Sequence, residues 1–302
     1  MLGRGALETV VPGRSAVGHV YTGQMRMRHD ELDAFGRAHP SSYLRHLAQI
    51  AIDASSDAGF DSRWYEAAGA RWLVRRTTFT VLRPVRAEAA LSFRTWVEDF
   101  RRVRSRRRYE VSNPDGAPAV TAVTDWVFVD LGTGRPRRVP REMEPRFVAG
   151  AVSGSARPPW RAPAPPANPA RSSYRVRWAD LDALGHMNNA AYLDVLVQAT
   201  LDVLGGLGWP VERLAVDGAV PLVTGGDVEY LDEVRHDDRL ETFTWFAPAD
   251  HGLDVHQRTV RLADGRAVVQ ATTGWRWADA LCDALAEPPP GVHSALRPLL
   301  AA

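Results

Sequence analysis

The sequence predicts an α+β protein: two tandem copies of one domain, each an antiparallel sheet wrapped on a single long helix. Three observations predict it. Identical residues recur at a constant offset, a proline-rich stretch parts the copies, and each copy carries one helical stripe followed by strand-like segments.

The offset is 149 residues. Asp33, Gly36, Tyr43, Gln49, Gly59, Trp96, Asp115, Gly116 and Trp126 match Asp182, Gly185, Tyr192, Gln198, Gly208, Trp245, Asp264, Gly265 and Trp275. A fixed spacing held over roughly a hundred positions marks an internal duplication. Between the copies, "VSGSARPPWRAPAPPANPARSS" holds six prolines from Pro158 to Pro169 and favours extended, poorly packed backbone. The expected domains are 19–147 and 172–280, joined by a Pro/Ala-rich linker over 148–171. The tail past residue 280 carries no recognisable element.

Each copy opens with a short strand, "VYTGQMRMR" or "SYRVRWA", then an acidic, glycine-containing loop. The first helix is expected to begin near Pro40, a residue suited to a first helical turn, and to stop near Gly59. It places Tyr43, Leu44, Leu47, Ile50, Ala51 and Ala54 on one face; Tyr192, Val195, Leu196, Ala199 and Val203 trace the same stripe in copy two, ending at Gly205-Gly206. "LSFRTWVEDF", "LETFTWFAP", "AVTDWVFVDL" and "QATTGWRWAD" read as strands, with "NPDG" and "LADG" as hairpin turns. A single sheet on one helix leaves an exposed edge, which edge-to-edge pairing of the copies would cover within one chain.

Composition narrows the function. The chain has 302 residues, 45% of them hydrophobic, and a net charge of +1, which gives no global reason to expect nucleic acid or membrane as a partner. All 37 basic residues are arginine, so arginine clusters reflect a chain-wide bias as well as function. Cys282 stands alone, which excludes an internal disulfide and fits a reducing compartment. "MLGRGALETVVPGRSAVG" lacks the apolar core of a signal peptide and no run reaches membrane-spanning length, so a cytoplasmic protein is expected.

Two stretches carry the chemistry. Residues 177–192 read "RWADLDALGHMNNAAY" and residues 28–43 read "RHDELDAFGRAHPSSY". Taken alone, Asp182 and Asn189 are helix-capping residues, His186 a loop histidine and Glu233 a solvated charge in a turn.

Order and spacing add a second reading. "RWADLDALGHMNNAAYLDVL" and "VEYLDEVRHDD" in copy two, with "ARWLVRRTTFTVLRPV", "FRTWV" and "TDWVFVDLGTGRPRRVPREMEPRFV" in copy one, resemble the tandem-hotdog acyl-ACP thioesterases of bacteria and plant plastids. The wider group is the 4-hydroxybenzoyl-CoA thioesterase-like hotdog superfamily. The resemblance implies hydrolysis of an acyl thioester and a site in copy two. By position it assigns Asp182 to the family's loop aspartate, His186 to its histidine and Glu233 to its strand glutamate. Leu184 stands where the family has asparagine, Val234 where older schemes invoke a cysteine, and Gln198 where relatives often carry glutamate. A thiolate nucleophile is thereby disfavoured. The expected mechanism is a carboxylate-activated water, with Glu233 as base and Asp182 orienting it, or the reverse. The backbone N–H groups from Gly185 through Asn188 to Asn189 are expected to hold the oxyanion, with Gln198 as a further positioning group. No cofactor and no metal are called for.

In copy one the equivalents of His186 and Glu233 are Arg37 and Pro84, neither of which can act as a base. Copy one is expected to be silent and to shape an acyl tunnel, with Trp72, Phe79 and Trp96 as its apolar wall. Arg101, Arg102, Arg104, Arg106, Arg107 and Arg108 form a candidate docking strand for the acidic carrier protein or for the phosphates of coenzyme A. The bland alternative is a solvated edge strand. The expected assembly is a monomeric pseudo-dimer or a homo-oligomer of it. Two rivals stay open: a hotdog dehydratase or hydratase, whose motif resembles Asp-x-Asn-Pro-x-His, and a non-catalytic acyl-carrier binding protein. No G-x-S-x-G, metal-ligand spacing or Gly-rich phosphate loop supports other chemistries.

Overall fold

The computed structural model describes residues 19–87, 89–147, 157–250 and 252–301. The N-terminal segment read for a signal peptide and the first part of the linker lie outside the described residues. Copy one contains β1 (Tyr21–Arg26), α1 (Pro40–Asp57), α2 (Ser62–Ala68), β2 (Ala70–Val81), β3 (Ala90–Arg101), β4 (Arg104–Ser112), β5 (Pro118–Asp130) and α3 (Glu144–Phe147). Copy two contains β6 (Ala170–Arg175), α4 (Asn189–Gly206), α5 (Val211–Val216), β7 (Val220–Tyr230), β8 (Arg239–Ala249), β9 (Gly252–Arg261), β10 (Ala267–Ala278) and α6 (Val292–Leu296). The starts of β1 and β6, α1 and α4, α2 and α5, β3 and β8, and β5 and β10 are each separated by the repeat offset.

The helical stripes do what their spacing predicts. Tyr43, Leu44, Leu47, Ile50, Ala51 and Ala54 of α1 are buried, as are Tyr192, Val195, Leu196, Ala199 and Val203 of α4. The two helices pack on each other, and residues of both join one continuous core. Pro40 opens α1 where its missing N–H is harmless, and the Asn188 side chain caps α4 by accepting from the Ala190 N–H at 2.9 Å.

All ten strands form one sheet in the order β1-β3-β4-β5-β2-β7-β10-β9-β8-β6. The copies therefore meet edge to edge at β2 and β7, antiparallel, with Arg76 opposite Glu229 and Thr80 opposite Gly225. On the outer face, Arg76 grips Asp227 through Nε to Oδ1 at 2.7 Å and a second, shorter contact. The linker lies across this junction. Arg157 reaches Asp125 at 3.0 Å, the Pro158 carbonyl accepts from Arg76, and the Pro163 carbonyl accepts from the Trp245 indole at 3.1 Å. Its described part before β6 has no helix or strand and no buried residue, and is tied to the sheet by these contacts.

The tail departs from expectation. It forms α6 and ends against copy two, the Ala301 N–H donating to the Phe246 carbonyl at 2.7 Å, but first turns at Asp279–Asp283 against copy one. There Arg37, 1% exposed, places Nε 2.5 Å from Asp283 and donates Nη2 to the Asp279 carbonyl at 2.6 Å. Arg86 reaches the other Asp283 oxygen at 3.0 Å. The sequence pattern missed this segment because three consecutive prolines and one short helix leave no periodic apolar stripe, and its anchors to copy one are charged.

Inward positions alternate along β3 as Leu91, Phe93, Thr95 and Val97, so Trp96 points to the opposite face, where Arg94 covers its ring. Trp96 is therefore not part of the interior wall. Trp72 and Phe79 do face inward: Trp72 packs on Phe128, and Phe79 is buried at the junction. Gly225 is required at that junction, because a Cβ there would lie 2.7 Å from the Phe79 carbonyl oxygen. Gly225→Ala should cost about 1–3 kcal/mol by forcing the two edge strands apart. Denaturant unfolding checks this; stability equal to the parent would show that the junction yields without cost.

Candidate active site

The site is built by one loop and one strand end. After β6, Asp180 is buried and collects donors: the Arg177 N–H at 2.7 Å, the Arg177 guanidinium at 2.7 Å and the Tyr174 hydroxyl at 2.7 Å. Burial alone would raise its pKa, but these donors outweigh burial and hold the carboxyl below the usual carboxylate range. The Asp180 carbonyl in turn accepts the Asn188 N–H at 2.8 Å, fixing where α4 begins. Sequence reasoning passed over Asp180 in favour of Asp182. The signal was present in the repeat, because its equivalent is Glu31, which is also buried and bonds His46 at 2.9 Å.

The loop then closes on itself. Leu181 and Met187 form a bridge, the Asp182 N–H donates to the His186 carbonyl at 2.9 Å, and Gly185 takes a positive φ of 75° at the turn. Asp182 Oδ1 accepts the Leu184 N–H at 2.8 Å, so this carboxylate shapes the loop. The Met187 N–H donates to the Val234 carbonyl at 2.8 Å. That one bond draws the segment after β7 alongside the loop. The Tyr230 hydroxyl donates to the Asn189 carbonyl at 3.0 Å, and burial pushes that phenol far up, keeping it a donor.

This arrangement brings His186 Nε2 to 3.0 Å from Glu233 Oε2. Arg235 Nη2 lies 3.3 Å from both atoms. A lone pair on Nε2 would repel the carboxylate, so Nε2 carries the proton and donates to Glu233, and the arginine serves the carboxylate. In neutral histidine, Nδ1 is then the free acceptor. Glu233 is 43% exposed, so water reaches it.

Several expected placements change. Glu233 pairs with His186; no contact joins it to Asp182 among the described residues. The N–H groups of Gly185, Met187 and Asn188 are already taken by the carbonyls of Asp182, Val234 and Asp180. Those of His186 and Asn189 have no acceptor among the described residues, which narrows the expected oxyanion donors to these two. In copy one the Arg37 N–H is spent on Asp33 Oδ1 at 2.9 Å, and the Arg37 side chain is locked to the tail. Gln198 is exposed about 13 Å along α4 from Asn189 and donates to Asp202 at 2.7 Å, so it does not join the cluster. Leu184 is exposed, and Val234 is fully buried in the core.

The arginine strand is not an edge. β4 lies between β3 and β5. Arg106 bonds Asp125 at 2.7 Å, Arg108 contacts Glu98, Arg101 lies 3.1 Å from Asp99, and Arg107 is buried. Arg107 cannot touch a carrier, and acidic partners occupy Arg101, Arg106 and Arg108; Arg102 and Arg104 lie exposed at the adjoining turn.

Residues 18–147 match the acyl-ACP thioesterase N-terminal domain and residues 176–296 match the thioesterase-like superfamily. The chain thus carries an acyl-ACP thioesterase N-terminal domain followed by a thioesterase-like superfamily domain. Among curated relatives, the chain is 25% identical over 273 residues to the acyl-[acyl-carrier-protein] hydrolase FATB2 of Cuphea viscosissima, covering 86% of this chain and 63% of that protein. The chain thus spans less than two thirds of that relative's length. Its fold is shared with an acyl-ACP thioesterase from Bacteroides thetaiotaomicron, at a TM-score of 0.69 and 19% identity over 85% of this chain and 98% of that one. The 12:0-ACP thioesterase from Umbellularia californica gives 0.70 at 18% identity, over 86% and 95% of the two chains. Among the described residues no helix is long and apolar enough to cross a membrane.

Asp180 gives the loop a pH signature. A carboxylate held low when folded stabilises the chain fully above its unfolded value of about 4, and loses that contribution as pH falls through the lower folded value. Asp180→Asn should cost about 1–3 kcal/mol near neutrality and flatten the acid limb of Tm against pH. An acid limb identical to the parent's would show that Asp180 does not anchor the loop.

Proposed function

We propose that the protein hydrolyses an acyl thioester, releasing a carboxylic acid and the carrier thiol, at the His186–Glu233 pair beside the N-terminus of α4. The observation that carries this reading is the 3.0 Å contact between His186 Nε2 and Glu233 Oε2, set within a thioesterase-family fold. Glu233 fixes the imidazole tautomer, and His186 Nδ1 accepts a proton from the attacking water. The water oxygen bonds to the thioester carbon, and the oxyanion takes the free N–H groups of His186 and Asn189, reinforced by the α4 dipole. When the C–S bond breaks, the protonated imidazole returns its proton to the thiolate. Asp182 acts through the loop, holding His186 in place. The relatives' names, acyl-carrier-protein hydrolases, favour a carrier protein over coenzyme A as the thiol.

Turnover of a panel of acyl-carrier-protein and acyl-CoA thioesters tests this. His186→Gln should lower kcat by about 10²–10⁴, with Glu233→Gln costing less because the amide oxygen still accepts from Nε2. A larger loss in Glu233→Gln than in His186→Gln would move the proton acceptor to Glu233. Absence of hydrolysis by the parent on every chain length, with measurable acyl-carrier binding, would overturn the enzyme reading.

Asp182→Asn keeps the Oδ1 acceptor for the Leu184 N–H and should leave most activity, whereas Asp182→Ala should release the loop and lower kcat about tenfold or more. Equal loss in both variants would instead give the carboxylate charge a direct part in the reaction.

A further inference from the structure

Arg107 is the most anomalous charge in the molecule. It lies on the inner face of β4, between the inward residues Ser105 and Tyr109, and is 6% exposed. Its flanking arginines point outward and meet Asp125 and Glu98. Arg107 has no carboxylate partner among the described residues. Its contacts are a long 3.4 Å approach to Thr95 Oγ1 and the Phe147 ring, 5.5 Å from the guanidinium carbon. Burying a cation without a counter-charge costs several kcal/mol, and arginine does not escape by losing its proton.

The fold does not require this charge. Arg107 stands opposite Thr124 on β5; the repeat equivalent Thr273 on β10 stands opposite Val255 on β9. Copy two thus builds the same position with a buried valine.

Two more donors sit on the same inner face. The Tyr109 hydroxyl and the Trp126 indole N–H are buried and lack well-formed partners. Burial pushes the Tyr109 phenol up to about 12, so it keeps its proton. The cluster therefore offers donors and positive charge and lacks an acceptor with negative charge.

Its position relates it to the site. Arg107, Thr124, Thr77 and Val228 form one row across β4, β5, β2 and β7. Three strand spacings, about 14 Å, separate Arg107 from β7, whose end leads into Asp232 and Glu233. The β2–β7 register runs Trp72 to Arg75 toward that same end.

We propose that Arg107, with Tyr109 and Trp126, receives an oxygen function on the acyl chain remote from the thioester, making the substrate an oxygenated acyl group. This rests on the thioesterase reading above. A terminal carboxylate answers both the charge and the paired donors of the guanidinium; a keto oxygen answers the donors alone. An unsubstituted alkyl chain would add no acceptor for these donors and no counter-charge for the guanidinium, and a site with buried polar groups rejects the analogue that cannot satisfy them.

The experiment compares thioesters of one chain length bearing an unsubstituted, a keto and a terminal carboxylate acyl group. The parent should favour an oxygenated chain by about tenfold or more in kcat/KM, and Arg107→Met should abolish the preference. The larger gain for carboxylate or for keto tells charge from hydrogen bonding. Because Arg107→Met removes an unbalanced buried charge, it should also raise Tm. Equal parental turnover of all three, or a preference that survives Arg107→Met, overturns the proposal, as does a lowered Tm with the preference intact. If the parent hydrolyses none of the panel, the thioesterase reading fails separately. Binding of the matching free acids, followed by tryptophan fluorescence, then decides the role of Arg107: tighter binding of the oxygenated acid, lost in Arg107→Met, upholds it, and equal binding overturns it.

Discussion

Everything in this molecule depends on the antiparallel junction between β2 and β7. Each copy alone would leave a row of backbone donors and acceptors open along one strand. Five paired positions, Arg76 to Thr80 against Glu229 to Gly225, close both edges at once. The close approach is possible because Gly225 and Gly226 leave room for the Phe79 carbonyl and ring. With the edges joined, α1 and α4 share one core, and the end of β7 is carried past the first residues of β2. A site made only of copy-two residues is thereby set against a wall made by copy one.

Duplication supplied two equivalent loops, and the chain uses them differently. In copy two, Asp182 braces the turn through Leu184 and leaves the His186 N–H free. In copy one, Asp33 takes the N–H of both Phe35 and Arg37, and the Arg37 side chain turns inward to Asp283. The position held by the partly exposed His186 ring in one half is a buried ionic anchor, Arg37, in the other. The anchor is long-range, binding the turn after β10 to the first copy through Asp279 and Asp283, while the last residues of the chain pair with Phe246 of β8.

Charge is handled in two contrasting ways. On the outer face, Arg76, Arg106, Arg108 and Arg157 all meet carboxylates, and the dense arginine content is largely neutralised in place. On the inner face of copy one, Arg107 has aromatic rings and hydroxyls around it and no anion among the described residues. Alternation along one strand produced both outcomes, because successive side chains of β4 point to opposite faces. The interior of copy one is thus polar at one point where copy two is apolar.

The sequence by itself determined the duplication, the α+β class, the two helical stripes and the hairpin turns, because these follow from local periodicity and from residues repeated at one spacing. Through family resemblance it also singled out Asp182, His186 and Glu233 as site residues, with Glu233 expected to act with Asp182. Only the tertiary structure decided that Glu233 meets His186 and not Asp182, since this depends on bonds between distant segments, from the Met187 N–H to the Val234 carbonyl and from the Arg261 guanidinium to the Glu233 carbonyl. Tertiary structure likewise removed Gln198 from the site, assigned Trp96 to the outer face, buried Arg107 and turned the tail into an anchor for Arg37. A linear run of arginines cannot say which of them faces inward. That depends on strand register and on which neighbours the sheet order brings alongside, and both are settled only when distant segments pair.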